Sequence, residues 1–215
     1  MVTSSQDATS PTYDDNVFLN VPFDRQYRSL FRALVFAVQD CGFQARCALE
    51  SSDGSVVRVD KLYDIIGDCK YGIHDISRTS LDPKSGLPRF NMPLELGVFL
   101  GAKRFGDTVH RRKNCLVLDR LKFRYQKFCS DLAGQDIRAH GNKVALAIGA
   151  VRDWLSDARR QSGAMVPGGR KIADRYDEFT RYLPGACRVY SLDANDLTFL
   201  DFRTLVIGWL DAHQW

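Results

Sequence analysis

No apolar run in the 215-residue chain approaches the roughly 18 residues that a membrane span requires. The start of the chain, Met1 to Asp15, is polar and has no apolar signal core. These two absences make the cytoplasm the expected compartment and leave no membrane partner to look for. There is no CxxC pair among the cysteines at 41, 47, 69, 115, 129 and 187, which disfavours a zinc knuckle. Most of them lie in apolar runs, as reduced buried thiols do, and no export signal accompanies them to favour disulfides. A dense basic stripe is also missing. Lys plus Arg is 30 and Asp plus Glu is 26, so the formal charge is only +4. That allows an anionic small ligand and disfavours nucleic acid. Three catalytic or nucleotide signatures are absent as well. No G-x-G-x-x-G follows the first strand, no GxxxxGK[ST] occurs, and no G-x-S-x-G occurs. A dinucleotide-binding Rossmann site, a phosphate-loop NTPase and a serine hydrolase are disfavoured accordingly.

What is present is an ordinary globular composition, 45% hydrophobic and 26% charged. The length suits one sizeable core and is short for two generous domains. Residues 1–14 are rich in Ser, Thr and Asp and read as a loose tail. Asn16 to Asn20 is a short apolar run stopped by Pro22 and reads as a buried first strand. Tyr27–Cys41 reads as a helix, Phe43–Leu49 as a strand and Val57–Asp68 as a helix. Tyr71–Ile76 follows as a third strand, Pro93–Arg104 as a helix and Asn114–Leu118 as a fourth strand. This alternation predicts an α/β fold, a parallel sheet with helices on both faces. Phe123–Leu132, Val144–Arg160, Ile172–Tyr182 and Leu197–Ala212 read as further helices, and 161–169 as an exposed loop. The expected organisation is a tail over 1–14, a site-bearing domain over 15–142 and a helical cap over 143–215 packed on that domain.

Ligands of such sheets lie beyond the carboxyl ends of the strands. Three segments should converge there. They are Asn20-Val21-Pro22-Phe23-Asp24, His74-Asp75-Ile76-Ser77-Arg78, and the stretch from Leu87 to Gly97. Glu95 is the sharpest candidate. A carboxylate in the first turn of a helix is favoured by the dipole, so a plain helix-start charge is one reading. Against it stand Pro93, which fixes the entry, and Gly97, which suggests a close approach of backbone or ligand. Arg89 and Asn91 precede it and suit a phosphate or sugar hydroxyls. Asp75 is either a turn cap or an acceptor for ribose. His74 should face the other side of the sheet, so a paired His74–Asp75 dyad is not expected. Among Arg46, Arg58, Arg78 and Arg89 the favoured anion binders are Arg78 and Arg89. The segment from Asp131 to His140 is either a helix terminator or a lid, with Gln135, Asp136 and His140 reaching in.

A first strand ending in FLNVPFD, a third ending in HDISR and a helix opening with ELG resemble the nucleoside 2-deoxyribosyltransferase superfamily. The Toll/interleukin-1 receptor (TIR) domains, which share the flavodoxin-like layout, are similar, and the enzymatic ones cleave NAD with a glutamate at a like place. The chain also resembles a bacterial family with LPRFNMPLELG and SDLAGQDIRAH segments. The transferase resemblance covers about residues 16–120 and rests on short motifs. It implies a flavodoxin-like fold, Glu95 as catalytic glutamate, Asn20, Pro22 and Phe23 lining the pocket, and Asp75 and Ser77 near the ribose. The approach Arg89-Phe90-Asn91-Met92-Pro93 departs from the transferases' Asp-x-Gly-Thr-like segment and suits a phosphorylated or larger nucleotide.

The leading expectation is an N-glycosidase or N-glycosyl transferase acting on NAD, a nucleotide or a nucleoside. NAD would be substrate, with no resident cofactor. Glu95 and Asp75 are the expected catalytic pair of residues; Asp75 and Asn91 would hold the ribose, Arg78 and Arg89 the phosphate, and Phe23 or Phe90 the base, with Asp24 in the same loop cluster. Depletion of NAD would imply a part in antiphage defence. The alternative is a non-catalytic nucleotide sensor or TIR-like interaction module, and a homo-oligomer is left open. A third reading is a metal-dependent phosphohydrolase using His74, Asp75 and His140.

Overall fold

The computed structural model describes residues 12–79, 81, 86–160 and 163–215. Its centre is a five-stranded sheet in which every pairing is parallel. The strands are β1 (Asn16–Asn20), β2 (Gln44–Arg46), β3 (Tyr71–Asp75), β4 (Asn114–Asp119) and β5 (Ile137–Ala139). They lie in the order β2-β1-β3-β4-β5, the flavodoxin-like arrangement. The helices are α1 (Arg28–Asp40), α2 (Arg58–Gly67), α3 (Asn91–Phe105), α4 (Val144–Arg160), α5 (Gly169–Val189) and α6 (Phe199–Ala212).

β1 and β3 are buried at every residue, because both faces of the sheet are covered. Alternation along β1 sends Phe18 to the side of α2 and α3, where it meets Leu62, Ile66 and Phe99. Val17 and Leu19 go to the other side, with α1 and α4. α1 is buried without interruption from Ala33 to Val38, which an amphipathic surface helix would not be. The reason is a second layer. α5 and α6 lie outside α1, and Phe36 packs against Tyr176, Phe179 and Trp209 with ring centroids 5.4–5.8 Å apart. Arg175 of α5 pairs with buried Asp40 of α1 at 3.1 Å and donates to the His213 carbonyl at 2.7 Å. The C-terminal helices thus share one core with the sheet.

Some elements differ from the sequence reading. β2 has three residues where seven were expected, since only Gln44 to Arg46 pair with β1. β5 was not expected at all. It is a three-residue strand in a polar stretch, too short to show a pattern. The expected helix over 123–132 is two short 3-10 turns, Arg124–Lys127 and Ser130–Leu132. Tyr125, Cys129 and Leu132 have helical spacing and do pack together beneath Leu96. Arg124 reaches back to Asp119, to the Ile76 carbonyl and to Thr79, and the segment turns at that anchor. α5 runs on through Pro184, because Leu183, Ala186 and Cys187 keep its inner face buried. Of the expected tail, residues 1–11 lie outside the described residues. Tyr13 accepts from Lys70 N at 3.1 Å, and Asp14 pairs with Lys70 at 2.8 Å.

Candidate active site

The carboxyl ends of β1 and β3 adjoin at the point where the chain crosses to opposite sides of the sheet. Asn20 ends β1 and is 1% exposed. Its Nδ2 donates to the Met92 carbonyl at 2.9 Å and lies 3.0 Å from His74 Nδ1. One side chain therefore ties the start of α3 to the ends of both central strands. With Nδ1 accepting, the His74 proton is on Nε2, which has no hydrogen-bond partner and lies against the Phe99 ring, 4.9 Å between centroids. Burial pushes His74 down to about 3, so it is neutral. Gly72 makes this possible. A Cβ there would lie 2.7 Å from His74 Nε2 and 2.9 Å from the Phe99 ring.

Glu95 sits one turn beyond Met92. α3 begins at Asn91, so Glu95 is in the second turn and no acidic residue lies in the first. The helix-start reading fails for that reason, since the dipole acts mainly within the terminal turn. Glu95 is half-buried and makes no hydrogen bond or ion pair among the described residues. Burial pushes its carboxyl up to about 7, and Arg58 at the start of α2 pulls the other way without overcoming it. Gly97 is exposed and an added Cβ would meet nothing within 4 Å, so no part of the protein approaches it closely. A close approach within the protein occurs at Gly72 instead.

Asp75 is fully buried on the α1 side of the sheet. It accepts from the Tyr27 hydroxyl and from Ser77 N at 2.8 Å. His140 Nε2 lies 3.0 Å from Asp75 Oδ2, off the axis of a regular hydrogen bond. Asn142 N donates to His140 Nδ1 at 3.0 Å, which puts the ring proton on Nε2, facing Asp75. The Tyr27 hydroxyl is raised well above its ordinary value by burial and by this carboxylate. The groups that face Asp75 in this structure are those of the protein rather than a ribose. Its oxygens are already engaged by groups of the protein. Ser77 is buried with it and serves it through the backbone.

A second buried acid, Asp119, ends β4. Its Oδ1 accepts from Arg124 Nε at 2.8 Å and Nη2 at 2.6 Å, while Oδ2 has no partner. Burial raises its carboxyl despite Arg124. Tyr27, Asp119 and Arg124 were missed in the sequence. The rule that picked Asp75, an acid closing an apolar strand, applies equally to Asp119 after Leu118.

The loops after β1 and β3 are joined. Arg78 Nη2 pairs with Asp24 Oδ1 at 2.7 Å and donates to Gln26 Oε1 at 2.9 Å. Burial raises the Asp24 carboxyl, but Arg78 and the N–H groups of Tyr27 and Gln26 outweigh it and hold it below its ordinary value. Arg78 is thus not a free phosphate binder. Arg89, Phe90 and Asn91 are exposed at the entry to α3, and Arg89 has no partner among the described residues. Pro22 is buried beneath the first loop. Phe23 turns to the α1 side, packs on Phe31 at 5.3 Å and lines a cavity of about 260 Å3 with Leu49 and Phe199. It is not placed to stack over Glu95. The expected lid divides in two. His140 is inside the rim network, whereas Gln135 and Asp136 line a cavity of about 810 Å3 at the other half of β4.

His74 and the Asp75–His140 pair lie on opposite faces of β3, so the three do not gather as a metal phosphohydrolase would need. Among the described residues no group of three or more His, Cys, Asp or Glu could hold a metal ion. No helix among them is long and apolar enough to cross a membrane. The fold and site define a flavodoxin-like α/β protein whose half-buried Glu95 carboxyl, unpaired among the described residues, lies one turn from the Met92 carbonyl that Asn20 holds at the topological switch point. Comparison of the chain with family models, with curated proteins and with solved structures finds no match in any of the three.

Proposed function

We propose that the chain is an N-glycosidase or N-glycosyl transferase acting on NAD, a nucleotide or a nucleoside, with Glu95 facing the anomeric carbon. The observation that carries this reading is the isolation of Glu95. Half-buried carboxylates are normally paired, and one left without a partner beside a switch point is a functional candidate. In the reaction the C–N bond breaks and its electron pair leaves with the base. Positive charge spreads over the anomeric carbon and ring oxygen, and the carboxylate stabilises it or bonds to it. Water or a second base then forms the new bond to that carbon, and water gives its extra proton to solvent. Nicotinamide suits this site because its ring nitrogen is already cationic and it departs neutral without an acid. Exposed Arg89 and Asn91 are available for phosphate and sugar, and Phe90 for a base. Asp75 acts by positioning, through Tyr27 and Ser77.

A second reading, a non-catalytic sensor or interaction module, draws on one observation. Leu81, Leu87, Phe90 and Leu94 are each more than 60% exposed around the same helix start. The test separates the two. Incubation with NAD, nucleoside monophosphates and deoxynucleosides should release one free base, detected by chromatography. Glu95→Gln should lower that rate by about 10³-fold with the fold intact. Because the carboxylate is the working form, kcat/KM should rise as pH passes about 7. Release of no base by the folded native chain would favour the interaction module.

A further inference from the structure

A cavity of about 810 Å3 lies away from Glu95, which does not line it. It exists because the sheet edge is stepped. β3 pairs with β4 from Asn114 to Leu118, but β5 pairs only with Val117 to Asp119. The first half of β4 is left uncovered. Its floor is apolar, made by Leu100 of α3, Cys115, Leu116 and Val117 of β4, and Trp154 of α4. The Trp154 ring is held in place. It meets Tyr71 edge-on at 5.7 Å, and its Nε1 donates to Asn114 Oδ1 at 3.4 Å. Part of it stays exposed to the cavity.

Four cations surround this floor: Lys103, Arg104, Arg111 and Arg138. Asp136 is the one carboxylate in the lining, 3.7 Å from Arg138, and Asp153 lies 3.9 Å from the same guanidinium. Arg111 donates only to the Gly106 carbonyl, and Lys103 and Arg104 have no ion pair among the described residues. Lys103 and Arg104 also answer the dipole at the end of α3, but Arg111 and Arg138 come from other elements and have no such reason to converge. Against these four cations the lining sets a single carboxylate. Mutual repulsion of the four is relieved by an anion.

We propose that the groove along β4 is a second ligand site, taking a phosphorylated aromatic molecule of nucleotide size. The phosphates meet the cationic rim and the ring lies against Trp154 and the apolar floor. Inorganic phosphate would leave the floor bare, and a neutral ring would leave the cations unanswered. The volume falls in the range of small-molecule sites. An extended peptide is a poorer fit. Asn114 N donates to the Lys70 carbonyl, so Asn114 and Leu116 direct their backbone groups towards β3. Only Cys115 offers its N–H and C=O to a strand added in the uncovered part.

The test uses the full chain with Glu95→Gln, so that no turnover disturbs binding, and ADP as probe. Titration by calorimetry and by tryptophan fluorescence should show binding that perturbs the tryptophan signal, whether or not the Glu95 site adds a second calorimetric event. Arg104→Ala combined with Arg138→Ala should weaken it by about tenfold or more, as should raised salt. Trp154→Phe should remove the fluorescence response and leave a weaker calorimetric one. Arg104 is exposed and Arg138 half-exposed at the groove rim, outside the apolar core, so the arginine variant keeps the test alive if Trp154→Phe misfolds. No ADP binding by the folded chain at about 1 mM, or binding indifferent to the arginine pair, would overturn the proposal. So would equal competition by inorganic phosphate without a tryptophan response, or uptake of an acidic peptide in place of ADP.

Discussion

The α1 side of the sheet and its carboxyl rim bury their groups in opposite ways. Around α1 the buried side chains are almost all apolar, with Phe36, Phe179 and Trp209 at the centre and one ion pair, Arg175–Asp40, for orientation. At the rim Asn20, His74, Asp75, Ser77, Asp119 and His140 are all buried. Four of their atoms, Asn20 Oδ1, His74 Nε2, Asp119 Oδ2 and His140 Nε2, have no hydrogen-bond partner among the described residues, though the last faces Asp75. Apolar residues would cost less there, because buried polar groups lose hydration that only good partners offset. The helical layer is therefore built for stability. The rim is built to hold particular atoms in particular places, which is the usual trace of a site.

The comparison breaks most visibly in the helical layer. Phe36→Ala should destabilise the chain by about 3–5 kcal/mol in urea unfolding, by opening a cavity between α1, α5 and α6. A much smaller loss would mean that the outer helices are loosely attached. The rim should be less costly to disturb. Asp75→Asn should cost about 2–3 kcal/mol, since Tyr27 keeps an acceptor but the anion facing His140 is gone. Combined with Tyr27→Phe the loss should be less than additive, and strict additivity would deny the network. The smallest effect sharpens the contrast at Glu95. The folded protein holds that proton between pH 4.5 and about 7, where the unfolded chain has released it. Stability should thus fall as pH rises through that window, by about 1–2 kcal/mol once solvent at the crevice is allowed for. Glu95→Gln should flatten that part of the profile. An unchanged slope would place the titration elsewhere.

Much of this arrangement is legible in the sequence. Strand and helix alternated clearly, and the rule that ligands lie beyond strand ends pointed to Asn20, Asp75 and Glu95. Asp119, which closes the apolar run of β4, fits the same rule. Other features had no local signal. β5 is three residues long, and Gly72 looks like any glycine until His74 and Phe99 are seen closing on it. The groove on β4 depends on how far β5 extends, which no pattern in 137–139 announces.

By itself the sequence determined the class of fold, because apolar runs of strand length alternating with amphipathic helices can be buried together in few ways. It also determined which polar residues stand at the strand ends. Only the tertiary structure decided their partners. His140 meets Asp75 across 65 residues, Arg78 meets Asp24 across 54, and Asn20 meets Met92 across 72. Those pairings follow from strand order, register and the face each side chain takes, and these are properties of the assembled sheet.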